Sequence, residues 1–143
     1  MTIQQISVFL ENTPGSLAEL TDDLAKNNVN MRAMSLADTS DFGIARFLTD
    51  NPEEVAKKLK EKDYLVNVTG VIVLEIADKA GSLNSVLKLL GENGRNIEYM
   101  YGFTGKKTNT ACMIIRSTDI AKTEEVLEKA KIHMISLDEL KNL

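Results

Sequence analysis

Residues Asn12–Met31 read Asn-Thr-Pro-Gly-Ser-Leu-Ala-Glu-Leu-Thr-Asp-Asp-Leu-Ala-Lys-Asn-Asn-Val-Asn-Met. The stretch divides into a turn, a helix and the opening of a strand. Pro14-Gly15 is a turn signal, and Ser16 with Glu19 three residues on has the spacing of a capping box, which starts the helix. Leu17, Leu20 and Leu24 give that helix one apolar stripe, and Asn27-Asn28 marks its end. A degraded copy returns at an unbroken offset of 66: Gly15 with Gly81, Ser16 with Ser82, Leu17 with Leu83, Leu24 with Leu90, Asn27 with Asn93, Asn30 with Asn96 and Met34 with Met100. A period that long, holding a helix and several strands, means two copies of a small domain rather than a solenoid.

The flanks of this block complete one unit. Upstream, Ile6, Val8 and Leu10 alternate with Gln5, Ser7 and Phe9, the period of a half-buried strand, and Ile72, Leu74 and Ile76 occupy the aligned positions. Downstream, Met31–Ala37 and Ile44–Thr49 flank a turn at Asp41-Phe42-Gly43, and Ile97–Phe103 and Thr110–Arg116 flank one at Gly105-Lys106-Lys107. A second helix starts at Asn51-Pro52 with Val55 and Leu59 inward, and in the other copy at Thr118-Asp119 with Val126, Leu127 and Ala130 inward. Tyr64–Val68 and Ile132–Ile135 close the units as short strands. The predicted class is therefore α+β, a ferredoxin-like βαββαβ unit repeated twice, with antiparallel sheets and helices on one face. Domains are expected at 1–69 and 70–143, with Gly70 the punctuation between them. Alternation places Arg46, Arg116 and Cys112 on the face that the helices leave open. Phe9, Val71 and Val73 on that face are too much apolar strand surface to stay wet, so a homodimer is expected.

Composition narrows the function. Seventeen Lys+Arg against 21 Asp+Glu give a net charge of −4, which opposes a nucleic-acid footprint. The third strands carry only Phe47, short of the stacking aromatics of an RNA-binding sheet. No segment joins a basic start to an apolar run, and none approaches the ~20 apolar residues of a membrane helix, so a cytoplasmic protein with no membrane partner is expected. Cys112 is the single cysteine, which excludes an intramolecular disulfide and a multi-cysteine metal site. His133 is the single histidine and sits in a strand beside Ile132 and Met134. Gly91-x-x-Gly94 ends a helix instead of opening one, so it is no dinucleotide loop. No acid pair and no nucleophile with a base stands out, and the chain reads as a non-enzyme without metal or cofactor.

Binding is better supported. Gly15 lets a ligand approach the backbone, and the first amides of the following helix form an anion site. Any side chain at this position would project toward that ligand. Asn12 and Asn30 each offer a donor and an acceptor, a set that suits a zwitterion. The same residues also read as a tight turn, a helix cap and a helix exit.

Asn12-Thr13-Pro14-Gly15-Ser16-Leu17 followed by Val29-Asn30-Met31 resembles the ACT domain motif. Asp78-Lys79-Ala80-Gly81-Ser82-Leu83 with Arg95-Asn96-Ile97 is a second, weaker match, and the whole chain resembles small stand-alone proteins made of two ACT domains. The resemblance implies an amino acid ligand held between two ACT domains whose second strands meet in an eight-stranded sheet, and a partner enzyme of amino acid metabolism. Asn12, Gly15, Ser16 and Leu17 would face Asn96 and Ile97, while Asp78, Gly81, Ser82 and Leu83 would face Asn30 and Met31. Asp78 and Ala80 depart from the motif's Asn and Pro, and Tyr99, Tyr101 and Phe103 stand where the first copy has Ala33, Ser35 and Ala37. That asymmetry favours one working site. A subunit that assembles without binding ligand and a small ferredoxin-like enzyme are the alternatives.

Overall fold

The alternating and helical stripes produce eleven elements in the computed structural model, which describes residues 1–105 and 107–143. They are β1 (Ile3–Glu11), α1 (Ser16–Lys26), β2 (Met31–Asp38), β3 (Phe42–Thr49), α2 (Pro52–Glu61), β4 (Leu65–Ala77), α3 (Ser82–Glu92), β5 (Ile97–Phe103), β6 (Thr110–Ser117), α4 (Ile120–Lys129) and α5 (Leu137–Lys141). The fold is a βαββαβ unit repeated twice with antiparallel strands. Contacts divide the chain into Gln4–Thr69 and Gly70–Leu143, the latter joined by Met1–Ile3. Lys106, part of the expected second turn, lies outside the described residues.

In the first unit the strands run β2-β3-β1 and then the opening residues of β4. Ile6 pairs with Phe47 and Val8 with Ala45, so these four side chains share one sheet face. Leu20 and Leu24 of α1 and Val55, Ala56 and Leu59 of α2 join them in a single core cluster, which puts both helices on that face. Phe47, Ile6, Leu20 and Leu24 are the largest fully buried side chains here, each stabilising the fold by about 1.5–3 kcal/mol.

The second unit repeats the scheme with strands β4-β6-β5 and a core of Ile72, Leu74, Val86, Leu90, Ile115 and Leu127. Its closing strand is reduced to a bridge between Leu74 and Met134, reinforced by the Glu75 amide donating to the His133 carbonyl at 3.0 Å and the Ile135 amide to the Val73 carbonyl at 2.8 Å.

Five expectations need correction. Helix α1 begins after Gly15, which is the N-cap in a left-handed conformation with no side-chain cap bond, so Ser16 and Glu19 form no capping box; Gly81 plays the same part for α3. Phe42 and Gly43 belong to β3, and the first hairpin turns earlier. Gly70 does not break the chain, because β4 runs through it for 13 residues. Ala130 is an exposed C-cap of α4, not an inward residue. Among the described residues, finally, six strands form and not eight, with β2 bonded to β3 and β5 to β6.

The open face is also less open than alternation suggests. Cys112, Val71 and Val73 are fully buried, so the apolar surface that Val71 and Val73 were expected to offer a second copy is not exposed. Helix α5 was not foreseen, although Ser136 and Glu139 form a complete capping box at its start. The Ser136 amide and hydroxyl, with His133 beyond them, hold the Glu139 carboxyl below its ordinary range. Among the described residues no helix is long and apolar enough to cross a membrane.

Candidate functional site

The two glycine turns are built alike from different side chains. In the first, the Thr13 amide donates to the Glu11 carbonyl at 2.9 Å and the Ser16 amide to the Thr13 carbonyl at 3.3 Å. In the second, the Lys79 amide donates to the Ala77 carbonyl at 3.0 Å and the Ser82 amide to the Lys79 carbonyl at 3.2 Å. Gly15 sits at φ +90°, ψ −16° and Gly81 at φ +90°, ψ −13°. These angles favour glycine because a Cβ there crowds its own backbone. Exchange of Pro14 for Ala80 therefore leaves the backbone unchanged.

Each turn aims a helix start at solvent. The Glu19 amide is the first of α1 to bond back, to Gly15, and the Ser85 amide the first of α3, to Gly81. Amides of Leu17 and Ala18, and of Leu83 and Asn84, precede those bonds and are the orphan donors of a helix N-terminus. Nothing lies within 4 Å of a Cβ placed on Gly15 or Gly81, so the glycines are required by φ and leave open space beside the turn. Asn12 and Asp78 are exposed, and their amides donate to Asp41 and Asn109 across the neighbouring hairpins. Thr13 and Ser16 hydroxyls bond at 2.8 Å, a contact that Lys79 cannot reproduce with Ser82. Gly81 and Ser82 border an open groove of about 580 Å³ that Lys79, Lys131 and His133 also line.

Asn30-Met31 and Asn96-Ile97 open β2 and β5, with both asparagines exposed. A bulge follows each, between Met31 and Ala33 and between Ile97 and Tyr99. Arg32, in the first bulge, forks onto Asp50 with contacts of 3.0 and 2.8 Å. Asn30 lines a cavity of about 110 Å³ with Asn27, Asn28, Thr49 and Asn51. Within a unit the turn and the asparagine lie at opposite ends of an 11-residue helix, roughly 16 Å long, so one unit does not bring both to one ligand.

Residues with catalytic potential are not poised. Cys112 is fully buried, and burial, with Glu75 adding to it, pushes its thiol pKa up, away from the reactive thiolate. Among the described residues no group of three His, Cys, Asp or Glu converges on a metal position.

No curated protein matches the sequence. Among solved structures, protein BT0572 from Bacteroides thetaiotaomicron covers 100% of this chain and 98% of its own at 38% identity and a TM-score of 0.92. The ligand-free regulatory subunit of aspartate kinase from Thermus thermophilus covers 89% and 91% at 13% identity and a TM-score of 0.61. Aspartokinase III from E. coli, in complex with lysine and aspartate, covers 90% of this chain and 31% of its own at 18% identity and a TM-score of 0.53. The last two show the shared fold alone. A family profile described as the ACT domain pair matches residues 1–143, the full span of the repeat traced above. With its twofold βαββαβ order and paired glycine turns, the chain belongs to the ACT domain pair family.

Proposed function

We propose that the protein is a non-catalytic, cytoplasmic regulator that binds an amino acid and acts through a partner enzyme of amino acid metabolism. The observation that carries this reading is the pair of glycine turns, each at φ +90° with open space beside it and unbonded amides behind it. A ligand carboxylate would dock on the amides of Leu17 and Ala18, or of Leu83 and Asn84, where the helix dipole favours negative charge. Asn12 or Asp78 would receive the ligand ammonium. The asparagine and apolar residue that open a second strand, Asn96-Ile97 for the first turn and Asn30-Met31 for the second, would complete the site from a facing ACT unit. Support for an amino acid ligand comes from the E. coli aspartokinase III solved with lysine and aspartate, and for an enzyme partner from the Thermus regulatory subunit.

A thermal-shift screen of the twenty amino acids tests this. A ligand at a hundred times its dissociation constant adds about 2.7 kcal/mol, a shift of several degrees in a chain this size. One amino acid, or a chemically related pair, should stand out. No shift with any of them would favour a subunit that assembles without ligand.

A further inference from the structure

Thr49, the last residue of β3, is only 3% exposed, yet its hydroxyl makes no hydrogen bond among the described residues. Burying a hydroxyl without a partner is costly, so such a group calls for something to bond it. The internal repeat supplies the comparison. Thr49 pairs with Met31 across its hairpin as Ser117 pairs with Ile97, so the two hydroxyl residues are equivalent. Ser117 meets the Thr123 hydroxyl at 2.6 Å, and Thr123 is the fourth residue of α4. The fourth residue of α2 is Val55, which has no hydroxyl to offer. Thr49 and Val55 instead line a half-enclosed cavity of about 110 Å³ between the end of α1 and the start of α2.

The rest of the lining is rich in neutral oxygens. Asn27 donates its Nδ2 to the Asp23 carbonyl at 2.9 Å, which leaves its Oδ1 as an acceptor. The Asn30 and Asn51 side chains make no hydrogen bond among the described residues, and Asn51 does not cap α2 as Asp119 caps α4. The two carboxylates of the lining are matched, Asp50 by the Arg32 fork and Glu54 by Lys58 at 2.9 Å. They repel an anion, and the C-terminal end of α1 is the negative end of its dipole, which favours a cation. Among the described residues no three His, Cys, Asp or Glu side chains converge, so a divalent ion would lack its usual ligands. At ~30 Å³ per water, the cavity has room for about three water-sized groups.

We propose that this cavity binds a monovalent alkali cation, held by the Thr49 hydroxyl and the amide oxygens of Asn27, Asn30 and Asn51. Neutral oxygens of this kind replace the hydration shell of such an ion. The ion supplies the partner that Val55 denies to Thr49, and it ties the α1–β2 turn to the start of α2. Asn30 is the one residue shared with the amino acid site proposed above. Ion binding is measured with no amino acid present, so either reading can fail alone.

The test titrates KCl and NaCl against choline chloride at constant ionic strength, following amide resonances of the 15N-labelled full chain. Shifts confined to residues 27–31 and 49–54, half-saturated below about 50 mM in one salt or both, are expected, with a matching rise in melting temperature. Thr49→Val keeps the shape and removes the hydroxyl, and it should weaken binding about tenfold or more while the chain stays folded in choline. Val55→Thr gives Thr49 the kind of partner that Ser117 has, and it should weaken binding in the same direction. No saturable shift in either salt, the behaviour of a cavity that holds water alone, would overturn the proposal. So would undiminished affinity in either variant.

Discussion

Gly15 and Gly81 show how a single backbone angle can matter more than any contact. Open space around both would admit a methyl group, yet φ +90° penalises every L side chain. Gly15→Ala should therefore cost about 1–2 kcal/mol in urea unfolding, and Gly81→Ala the same, with no clash to relieve. A cost near zero in either would mean that the turn relaxes freely. The sequence made Ser16 look like the cap because serine commonly serves there, whereas left-handed backbone at the preceding residue has no signature beyond glycine itself. Asp23 is a second case. Lys62 and the Tyr64 hydroxyl hold its carboxyl below the ordinary value. A depressed folded pKa stabilises above about pH 3.9 and loses that contribution as pH falls through the lower folded value. Asp23→Asn should thus lower the melting temperature at pH 7 but much less at pH 2.5. An equal deficit at both pH values would show that charge is not the cause.

At the scale of elements, most strands and helices were legible because their signals are local: period-two alternation in β1 and β4, leucines at helical spacing in α1 and α3. What escaped depended on pairing. Gly70 looks like a break, but backbone bonding carries β4 through it, and its close neighbour supplies a reason for glycine. A Cβ on Gly70 would lie 2.6 Å from Thr2 Cγ2. Gly70→Ala should destabilise by about 1–3 kcal/mol through overpacking. Thr2→Ser deletes that methyl and keeps the hydroxyl bond to Glu124 at 2.9 Å. In the Thr2→Ser background Gly70→Ala should become neutral or stabilise by about 0.5–1 kcal/mol, because alanine orders a strand interior better than glycine. Additive losses in the double variant would place the strain elsewhere. Helix α5 escaped because five residues are too few for an apolar stripe, though Ser136-x-x-Glu139 was there to be read as its start. The candidate site was legible only in part for a related reason. Each glycine turn, each asparagine and the helix that separates them were readable from local signals, but which surfaces meet to complete a site depends on packing that no local signal carries.

For the whole molecule, self-association turns on strand edges and not on sheet faces. Val71 and Val73 are buried within the chain, so they cannot drive dimer formation. Among the described residues two strands, β2 and β5, have one unbonded side, and such edges are templates for another chain unless charge, proline or a bulge blunts them. Each has a bulge at its opening, followed in β2 by Ala33-Met34-Ser35-Leu36-Ala37 and in β5 by Tyr99-Met100-Tyr101-Gly102-Phe103, runs without charge or proline. Phe9 and Phe42 add exposed aromatic surface in the first unit, their ring centres 6.1 Å apart, and Leu36 is 53% exposed. Light scattering at tens of micromolar should accordingly give twice the chain mass of 15.8 kDa. Leu36→Lys, a charge on the β2 edge, should return the mass toward 15.8 kDa if that edge is the one used. Were the unmodified protein to scatter as a monomer at that concentration, both edges would be shown to be self-sufficient, and an asparagine from a second copy could not complete the ligand site.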